Sequence, residues 1–506
     1  MSKLISRSGK HIGELTDPQS TDDIVYDDDT GKWVNSKKPV TKLADIGHGY
    51  GRVHVYGNNI FVAGNNGSER VYGWGEVSSL YYSKPRPTEY PINEVVWLAQ
   101  NFAQLHFVDD KGHLYSCGDD DLGSLGDGNL RSGSSSRRSF LRNEDPLLFG
   151  PGISVEKVWS ERLSSNTSTD ATGCVHCLVN DNGTYKTYGW GYNNYGQVGH
   201  GGTANTGVPQ LLPELDGLEI VDYDSHSYTV MLVGADGSLW GAGYNNHRQL
   251  GIDYVGNASL SQSKDHTGAF MSDVIQIKIV YTEGISVCSF ALKSDGTVWS
   301  CGDNIEGGLG VGDRTDTQYF RQVMIDATTP LGGITRIEDG GRGQIFAFNE
   351  TFNTVWATGR NHDGVFGDGS TAYSTASNFA RVIQTNVENF WILGRNEAGW
   401  ITSFWKFIGD DELYAAGSGN DYIAGYWDSS TGYSNVLKRV PFPNKKGNII
   451  NIRYNGAVTG GNSYHGAMAL TDEDEIFVWG DNGHACNFGE NSITHWQQPI
   501  LLNDYK

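Results

Sequence analysis

The sequence has none of the long apolar runs that mark membrane or exported proteins. No stretch approaches the roughly 18 consecutive apolar residues of a membrane-spanning helix, so we predict no membrane insertion. The first residues, MSKLISRSGKHIGEL, lack the apolar core of a signal peptide. We therefore expect synthesis in a cytoplasm, from which only assembly or lysis would carry the protein elsewhere.

Basic residues are scarce relative to acidic ones. The 506 residues include 37 Lys and Arg against 59 Asp and Glu, which gives a formal net charge of −22. Nucleic acids attract basic surfaces, so this balance argues against a nucleic-acid ligand. It also disfavours binding to anionic membranes.

The six cysteines and 14 histidines do not have the spacing of metal ligands. Cys174, His176 and Cys177 lie in CVHCLV, a pattern typical of a strand, where residues three apart point to opposite faces. Cys117 and Cys301 occupy the same place before a recurrent glycine, which a small buried side chain explains. We predict structural cysteines and no metal site.

Sequence motifs of catalysis are also missing. There is no P-loop, no GxSxG, no HExxH and no dinucleotide fingerprint. The acidic runs at residues 27–29 and 119–121 do not match a calcium loop and are interpreted as solvated turns. We predict a non-enzyme without catalytic residues or cofactor. An enzyme assembled from separate loops, such as a glycan hydrolase with two facing carboxylates, stays open.

Glycine is abundant, and eight of the 67 glycines mark an internal repeat. Each ends a pentad of an aliphatic residue or Thr, an aromatic residue, a small residue, a variable residue and Gly. In residues 187–201, TYGWGYNNYGQVGHG, the pentad is followed by a polar turn and a short glycine-bounded apolar step. The repeat-defining glycines are Gly75, Gly118, Gly191, Gly243, Gly302, Gly359, Gly417 and Gly480. We predict that they are structural, because a crowded strand end and a following turn both favour Gly.

Residues 274–313 contain a complete repeat unit. VIQIKIV alternates as a half-buried strand should, VCSFALK is the next strand, and TVWSCG pairs back across the turn SDG. Similar turns occur at residues 110–112, 181–183 and 235–237. In the first unit, residues 59–75 align with the repeat. This alignment makes IFVAG the strand before the pentad strand and Gly75 the pentad glycine.

Several units carry polar inserts, which in repeat proteins often form binding surfaces. Residues 131–142, RSGSSSRRSFLR, are predicted to be a flexible basic loop, with Arg137, Arg138 and Arg142 as candidate exposed binding residues. A solvated linker is the competing interpretation. Residues 204–213, 256–268 and 372–378 are predicted to be polar loops.

Residues 1–42 carry no repeat and are predicted to form an N-terminal extension. Within it, two short apolar segments containing Tyr26 and Trp33 flank an acidic turn, which predicts a minimal hairpin. The stretch DIVYDDDTGKWVN resembles a unit of bacteriophage tail-fibre and other virion proteins. That resemblance implies docking to other virion proteins through Tyr26 and Trp33; an incidental surface hairpin is the alternative.

The repeat itself, best preserved as TVWSCGDNIEGGLGVGD in residues 297–313, resembles that of the regulator of chromosome condensation family. The resemblance implies an all-β fold, a β-propeller of seven or eight four-stranded blades over residues 43–506, with protein binding on a propeller face. The family usually has seven blades, whereas eight units are counted here. A strand at residues 499–502 is predicted to pair with an N-terminal strand and close the ring.

Two functional hypotheses follow. The first is a non-enzymatic virion protein of a bacteriophage, associated with the tail or capsid, whose propeller recognises a protein or a host surface receptor. The second is an intracellular, cytoplasmic protein-binding propeller that acts as a GTPase regulator or scaffold. Neither requires a cofactor.

Overall fold

The computed structural model describes most of the chain from residue 104 to residue 501, together with nine strands ahead of it. Between residues 104 and 501 it leaves out residues 120–121, 131–135, 161–172, 283–286, 305–306, 342, 360, 362–363, 371–376, 394–400, 419–422, 427–431, 460–461, 474 and 482–494. Statements below refer to the described residues.

The strands form two hairpins and eight four-stranded antiparallel sheets. The hairpins pair β1 (Lys3–Ile5) with β2 (His11–Glu14), and β3 (Ile24–Asp27) with β4 (Lys32–Asn35). The first sheet contains β5 (Val40–Leu43), β6 (Gly51–Tyr56), β7 (Asn59–Gly64) and β8 (Tyr82–Pro87). The second contains β9 (Val95–Gln100), β10 (Gln104–Asp109), β11 (Leu114–Asp119) and β12 (Ser136–Arg142). The third contains β13 (Ile153–Ser160), β14 (Cys174–Asp181), β15 (Thr184–Gly191) and β16 (Thr206–Leu211), followed by a 3-10 turn at Pro213–Leu215.

The remaining sheets follow in chain order. The fourth contains β17 (Ile220–His226), β18 (Thr229–Gly234), β19 (Leu239–Tyr244) and β20 (Asn257–Gln262). The fifth contains β21 (Val274–Tyr281), β22 (Val287–Lys293), β23 (Val298–Gly302) and β24 (Thr317–Gln322). The sixth contains β25 (Arg336–Asp339), β26 (Ile345–Asn349), β27 (Thr354–Gly359) and β28 (Ser377–Thr385). The seventh contains β29 (Val387–Leu393), β30 (Thr402–Phe407), β31 (Leu413–Ser418) and β32 (Tyr433–Val440), and the eighth β33 (Ile449–Thr459), β34 (Asn462–Thr471), β35 (Ile476–Asp481) and β36 (His495–Leu501).

Each four-stranded sheet is one contiguous segment of chain, with its strands in sequence order. The first strands of neighbouring sheets contact one another, as β9 contacts β13 and β17 contacts β21. These strands are therefore innermost, as in a β-propeller, and the predicted fold class is confirmed. The predicted domain boundary at residues 42/43 falls inside β5, the first strand of the first sheet.

The predicted pairing of the last strand with an N-terminal strand is wrong. β36 pairs with β35, so that Phe477 lies opposite Leu501. It takes the fourth place in its sheet, as β16, β20 and β24 do in theirs. The eighth sheet is therefore completed by its own segment of chain.

Polar side chains on the innermost strands join successive sheets. The Asp222 and Asp224 carboxylates on β17 accept hydrogen bonds from the Ile277 and Ile279 amides on β21, both at 2.8 Å. Gln276 on β21 donates to the carbonyl of Ile337 on β25 and accepts from its amide, both at 2.9 Å. These contacts explain why the first strands alternate apolar and polar residues: the apolar side chains fill the core and the polar ones reach the next sheet.

The carboxyl of Asp222 makes the junction of the fourth and fifth sheets sensitive to pH. Its burial raises the pKa from 3.8 to about 6, against the opposing effect of Lys278. The folded chain therefore binds a proton between pH 4 and 6 that the unfolded chain has released, and this group's contribution to stability falls as pH rises through that window.

We expect Asp222→Asn to remove this pH dependence while keeping an acceptor for the Ile277 amide. The stability of the variant relative to the wild type should rise from pH 4.5 to pH 7.5 by at most about 3 kcal/mol. Denaturant unfolding of both proteins at the two pH values measures it. Asp253→Asn is the control, because the hydrogen bond from Lys264 lowers the pKa of Asp253 below 3.8. Its carboxyl is ionised in both the folded and the unfolded chain over this pH range, so the relative stability of this variant should stay nearly constant. Equal behaviour of the two variants would contradict the assignment.

The hairpin turns between second and third strands form another joint. The carbonyl oxygens of these turns accept hydrogen bonds from the first residues of the next sheet, with distances of 2.9–3.0 Å: Gly112 from Val155, Gly237 from Val274, Gly296 from Ile334 and Asn353 from Val387. Gly237 also has a φ of 81° and no room for a Cβ, which would lie 2.6 Å from the Asp273 amide nitrogen. The Asp-Gly turns of the sequence thus hold neighbouring sheets together.

The pentad glycines end the third strands, and six of them have φ between 72° and 105°: Gly191, Gly243, Gly302, Gly359, Gly417 and Gly480. At Gly302 a Cβ would lie 2.9 Å from the Val287 carbonyl oxygen and 3.1 Å from the Cα of Gln249 in the preceding sheet. The prediction that crowding and a following turn require Gly is confirmed at this residue. Gly118 pairs with Gln104 near the end of β11, and Gly75 lies outside the described residues.

A buried asparagine two residues after the pentad glycine organises the polar turn. Asn193, Asn245, Asn304 and Asn361 each accept a hydrogen bond from the amide five residues later, at 2.9–3.0 Å. Their side-chain amides donate to oxygen atoms later in the same turn, mostly backbone carbonyls. The turn is therefore closed around one side chain.

In the first sheet the predicted assignment of strands is wrong. β7 (Asn59–Gly64), which contains IFVAG, lies between β6 and β8 and takes the third place, with Gly64 opposite Gly51. Gly57 and Asn58 are the residues between β6 and β7. Asn66-Gly67 is also a typical turn pair, and aligning the repeat on it makes IFVAG the second strand instead of the third. Gly64 followed by Asn66 has the spacing of Gly191 and Asn193, a signal that identifies it as the pentad glycine.

Candidate binding surface

The sheets place their loops on two faces. The turn face carries the starts of the first strands and the hairpin turns between second and third strands, such as 181–183 and 235–237. The loop face carries the ends of the first strands and the polar turns that follow the pentad glycines, such as 192–199 and 244–251. Side chains on either face are candidates for function once those used by the joints between sheets are set aside.

Four tyrosines form a cluster on the loop face of the third and fourth sheets. The rings of Tyr195 and Tyr228 stack at 4.3 Å, and Tyr192 and Tyr244 contact them at 5.7 and 5.6 Å. Tyr228 and Ser227 both have positive φ, 64° and 48°. Because Tyr192, Tyr228 and Tyr244 are buried, the rings fill each other's space and serve as packing.

Cys174 and Cys177 lie on opposite faces of β14, as predicted for a strand. They are buried in two different hydrophobic clusters. Burial lowers the pKa of His176 to about 4, and its Nε2 lies 3.2 Å from the Val198 carbonyl oxygen. Among the described residues, no group of three or more His, Cys, Asp or Glu could hold a metal ion.

The predicted basic loop is a strand over residues 136–142. β12 pairs with β11, with Arg137 opposite Gly118 and Arg142 opposite Tyr115. The half-buried Arg142 places its guanidinium 4.2 Å from the centre of the Phe149 ring. Arg138 lies in the same strand. Residues 131–135 lie outside the described residues. The loop prediction is wrong because an outermost strand does not need to alternate apolar and polar residues. Backbone hydrogen bonds to the third strand define it, so its sequence can look like a polar loop.

The same cause hides the other fourth strands. β16 and β20 fall within the segments predicted as polar loops, at residues 204–213 and 256–268, and β28 begins at the end of 372–378. In the N-terminal extension the predicted hairpin is confirmed: β3 pairs with β4 and Tyr26 lies opposite Trp33. Their docking role stays a prediction.

The turn face presents acidic side chains at the hairpin turns between second and third strands of the second to eighth sheets. The residues are Asp110, Asp181, Asp236, Asp295, Glu350, Asp411, Asp472 and Glu473. Several Asp residues in or near these turns also cap backbone amides, as Asp236 and Asp295 accept from Ser238 and Thr297 at 2.9 Å. The acidic residues of these turns are visible in the sequence, but capping of the turn amides is sufficient to explain them. That they share one face becomes evident only from the fold.

Apolar side chains lie exposed on the same face. At the second position of the innermost strand, where the pairing register shifts, Val221 on β17 and Ile275 on β21 expose 43% and 48% of their surface. Val96 on β9 and Ile450 on β33 hold the equivalent place and are also exposed. A β-bulge turns the extra side chain out of the ladder, which explains their exposure.

Comparison with known sequences identifies the repeat. The regulator of chromosome condensation (RCC1) repeat matches residues 186–233, from β15 to β18. The E3 ubiquitin-protein ligase HERC2 of Mus musculus is 26% identical over 310 residues, which cover 58% of this chain and 6% of HERC2. The ultraviolet-B receptor UVR8 of Arabidopsis thaliana is 27% identical over 202 residues, 38% of this chain and 42% of UVR8. The X-linked retinitis pigmentosa GTPase regulator of Canis lupus familiaris is 32% identical over 144 residues, 28% of this chain and 14% of that protein.

This chain thus spans less than half the length of each of these relatives. Among solved structures, Prp20p from Saccharomyces cerevisiae is similar, with a TM-score of 0.53 and 17% identity over 87% of this chain and 95% of that chain. The structure of Kap60 bound to yeast RCC1 (Prp20) gives a TM-score of 0.51 and 12% identity over 93% and 86%. No helix in the described part of the chain is long and apolar enough to cross a membrane. The chain is therefore a β-propeller in which residues 186–233 match the regulator of chromosome condensation (RCC1) repeat.

Proposed function

We propose that the protein is a binding scaffold whose propeller holds a protein partner on one face. The observation that carries this is a division of roles among its residues. The repeated residues, namely the pentad glycines, the buried asparagines and the Asp-Gly turns, are occupied in closing turns and joining sheets. On the turn face, in contrast, apolar side chains such as Val221 and Ile275 project to solvent.

The similar proteins favour the intracellular hypothesis over the virion hypothesis. By their names they include ubiquitin ligases and a GTPase regulator, and similarity to a propeller repeat is similarity to a part that binds. A role in GTPase regulation or as a scaffold for other proteins is therefore the form of the proposal that we prefer. Docking in a phage particle through Tyr26 and Trp33 is the second candidate, and rests on the N-terminal resemblance.

The proposal predicts a stable complex in the source cells. The full chain, tagged at its natural level, should elute in size-exclusion chromatography with a second protein at a fixed ratio, which cross-linking and mass spectrometry would map to one face. Elution as a single chain under all growth conditions would contradict a scaffold. Recovery in fixed stoichiometry with purified phage particles would favour the virion candidate instead. Release of labelled nucleotide from host GTPases tests the exchange-factor form separately.

A further inference from the structure

The turn face of the fourth and fifth sheets carries exposed apolar side chains at equivalent positions. Val221 and Ile275 lie on neighbouring innermost strands and expose 43% and 48% of their surface. Single exposed apolar residues are ordinary, but several on one face, bordered by polar groups, are typical of an interaction surface.

Carboxylates border these apolar side chains. In residues 211–222, 234–238, 270–276 and 292–297 there are six besides Asp222: Glu214, Asp216, Glu219, Asp236, Asp273 and Asp295. Two ammonium groups lie beside them: that of Lys293, 4.9 Å from the centre of the Trp299 ring, and that of Lys157, 3.6 Å from the Glu219 carboxylate. With six carboxylates against two ammonium groups, the surface is negative.

Backbone hydrogen bonds fix the order of these segments around the face. Three bonds join them: the Ala235 amide to the Glu219 carbonyl at 2.8 Å, the Val274 amide to the Gly237 carbonyl at 3.0 Å, and the Ser294 amide to the Asp273 carbonyl at 2.8 Å. Asp236 therefore lies between the segments of Glu219 and Asp273, and Asp295 follows on the other side of Asp273. The segments that carry Glu219, Asp236, Asp273 and Asp295 therefore form a continuous arc.

We infer that this surface, the acidic–apolar patch of Val221, Ile275 and the six carboxylates, binds a basic segment of a partner protein in which cationic and aliphatic side chains alternate. Cations on the partner complement the arc, and its aliphatic side chains cover Val221 and Ile275. A second copy of this chain does not fit, because a symmetric contact would place two acidic arcs against each other. This inference rests on the proposed binding function and specifies its face and its partner chemistry.

A fluorescein-labelled peptide of alternating Lys and Leu tests the inference with the full chain. Fluorescence anisotropy should give saturable binding at low salt, about 50 mM, that weakens at about 300 mM. The double variant Asp236→Asn and Asp295→Asn keeps acceptors for the turn amides and removes two charges from the arc. We expect it to weaken binding about tenfold.

The matched control removes the same charge from elsewhere. The residues Asp127 and Asp316 lie next to glycine steps on the loop face, and in the double variant Asp127→Asn and Asp316→Asn the new asparagines still accept from the Asn129 and Asn304 amides. This double variant should change binding less than about twofold. Equal weakening by both double variants would reveal attraction to overall charge and overturn the inference, as would no binding by the wild type.

The apolar half of the patch is tested with Val221→Thr and Ile275→Thr, which keep β-branched side chains in their strands. These changes should weaken the Lys–Leu peptide several-fold and leave a Lys–Ser peptide unaffected. A Lys–Ser peptide that binds as tightly as the Lys–Leu peptide would overturn this half. The patch variants could bind the peptides as the wild type does while the full chain still co-elutes with a cellular protein. In that case the scaffold proposal stands and the assignment of its face is wrong.

Discussion

Replacing Gly302 with alanine is expected to destabilise the protein by about 2–5 kcal/mol. A φ of 104° is unfavourable for any residue with a Cβ, which contributes roughly 1–2 kcal/mol. The new Cβ would also lie within 3.1 Å of three backbone atoms, the carbonyl oxygen of Val287 and the Cα atoms of Cys288 and Gln249. Backbone atoms of two sheets cannot move aside independently, so overpacking adds about 1–3 kcal/mol.

Gly201→Ala is the matched control for this prediction. Gly201 has a φ of 86°, but no atom lies within 4 Å of the position its Cβ would take. It should therefore lose only the conformational part, about 1–2 kcal/mol. Urea unfolding of the two variants and the wild type gives the comparison, with the change in midpoint as the measure. Equal losses would mean that the joint between the fourth and fifth sheets is less crowded than the structure indicates.

Asn304→Ala is expected to destabilise the protein by about 2–4 kcal/mol, of which the buried Leu309 amide, left without its acceptor, contributes roughly 1–3 kcal/mol. The Asn304 side chain is fully buried. It accepts a hydrogen bond from the Leu309 amide at 3.0 Å and donates to the carbonyls of Asp313 and Thr315 at 3.0 and 3.1 Å. Alanine leaves these three groups without their partner and opens the turn that carries the glycine step.

The control for Asn304 is an exposed asparagine of the same repeat array. Asn257 makes one long hydrogen bond, 3.4 Å from its side-chain amide to the Asn194 carbonyl, and its replacement with alanine should change stability by less than about 0.5 kcal/mol. Thermal unfolding followed by tryptophan fluorescence measures both variants. Hydrogen exchange of the Leu309 amide adds a local test, because this amide should lose its protection in Asn304→Ala and keep it in Asn257→Ala.

The fold can be predicted from the sequence best where the backbone conformation of a residue and its surroundings both require the same amino acid. A pentad glycine is required by both a positive φ and a close backbone, so it recurs and the repeat can be found. The second and third strands were likewise evident, because they are buried on both faces and joined by Asp-Gly or Asn-Gly turns. The eight units counted from the glycines correspond to eight four-stranded sheets.

The fourth strands were missed for the opposite reason. Segments such as SRRSFLR of β12 lie at the outer side of their sheet, where one edge faces no further strand of that sheet and polar residues are tolerated. Backbone hydrogen bonds to the third strand define them, and such bonds do not require particular amino acids. The acidic–apolar patch was equally hidden, since Val221 and Ile275 are ordinary strand residues in sequence and only the β-bulge exposes them.

The innermost-strand contacts have a direction that matters during protein synthesis. Asp222 reaches forward to residues near position 277, and Gln276 reaches forward to Ile337. A ribosome releases the chain from the N-terminus, so each completed sheet emerges with acceptors and donors already aimed at the segment still being translated. Each nascent sheet can then act as a template for its successor, and the assembly of the propeller follows the order of the message.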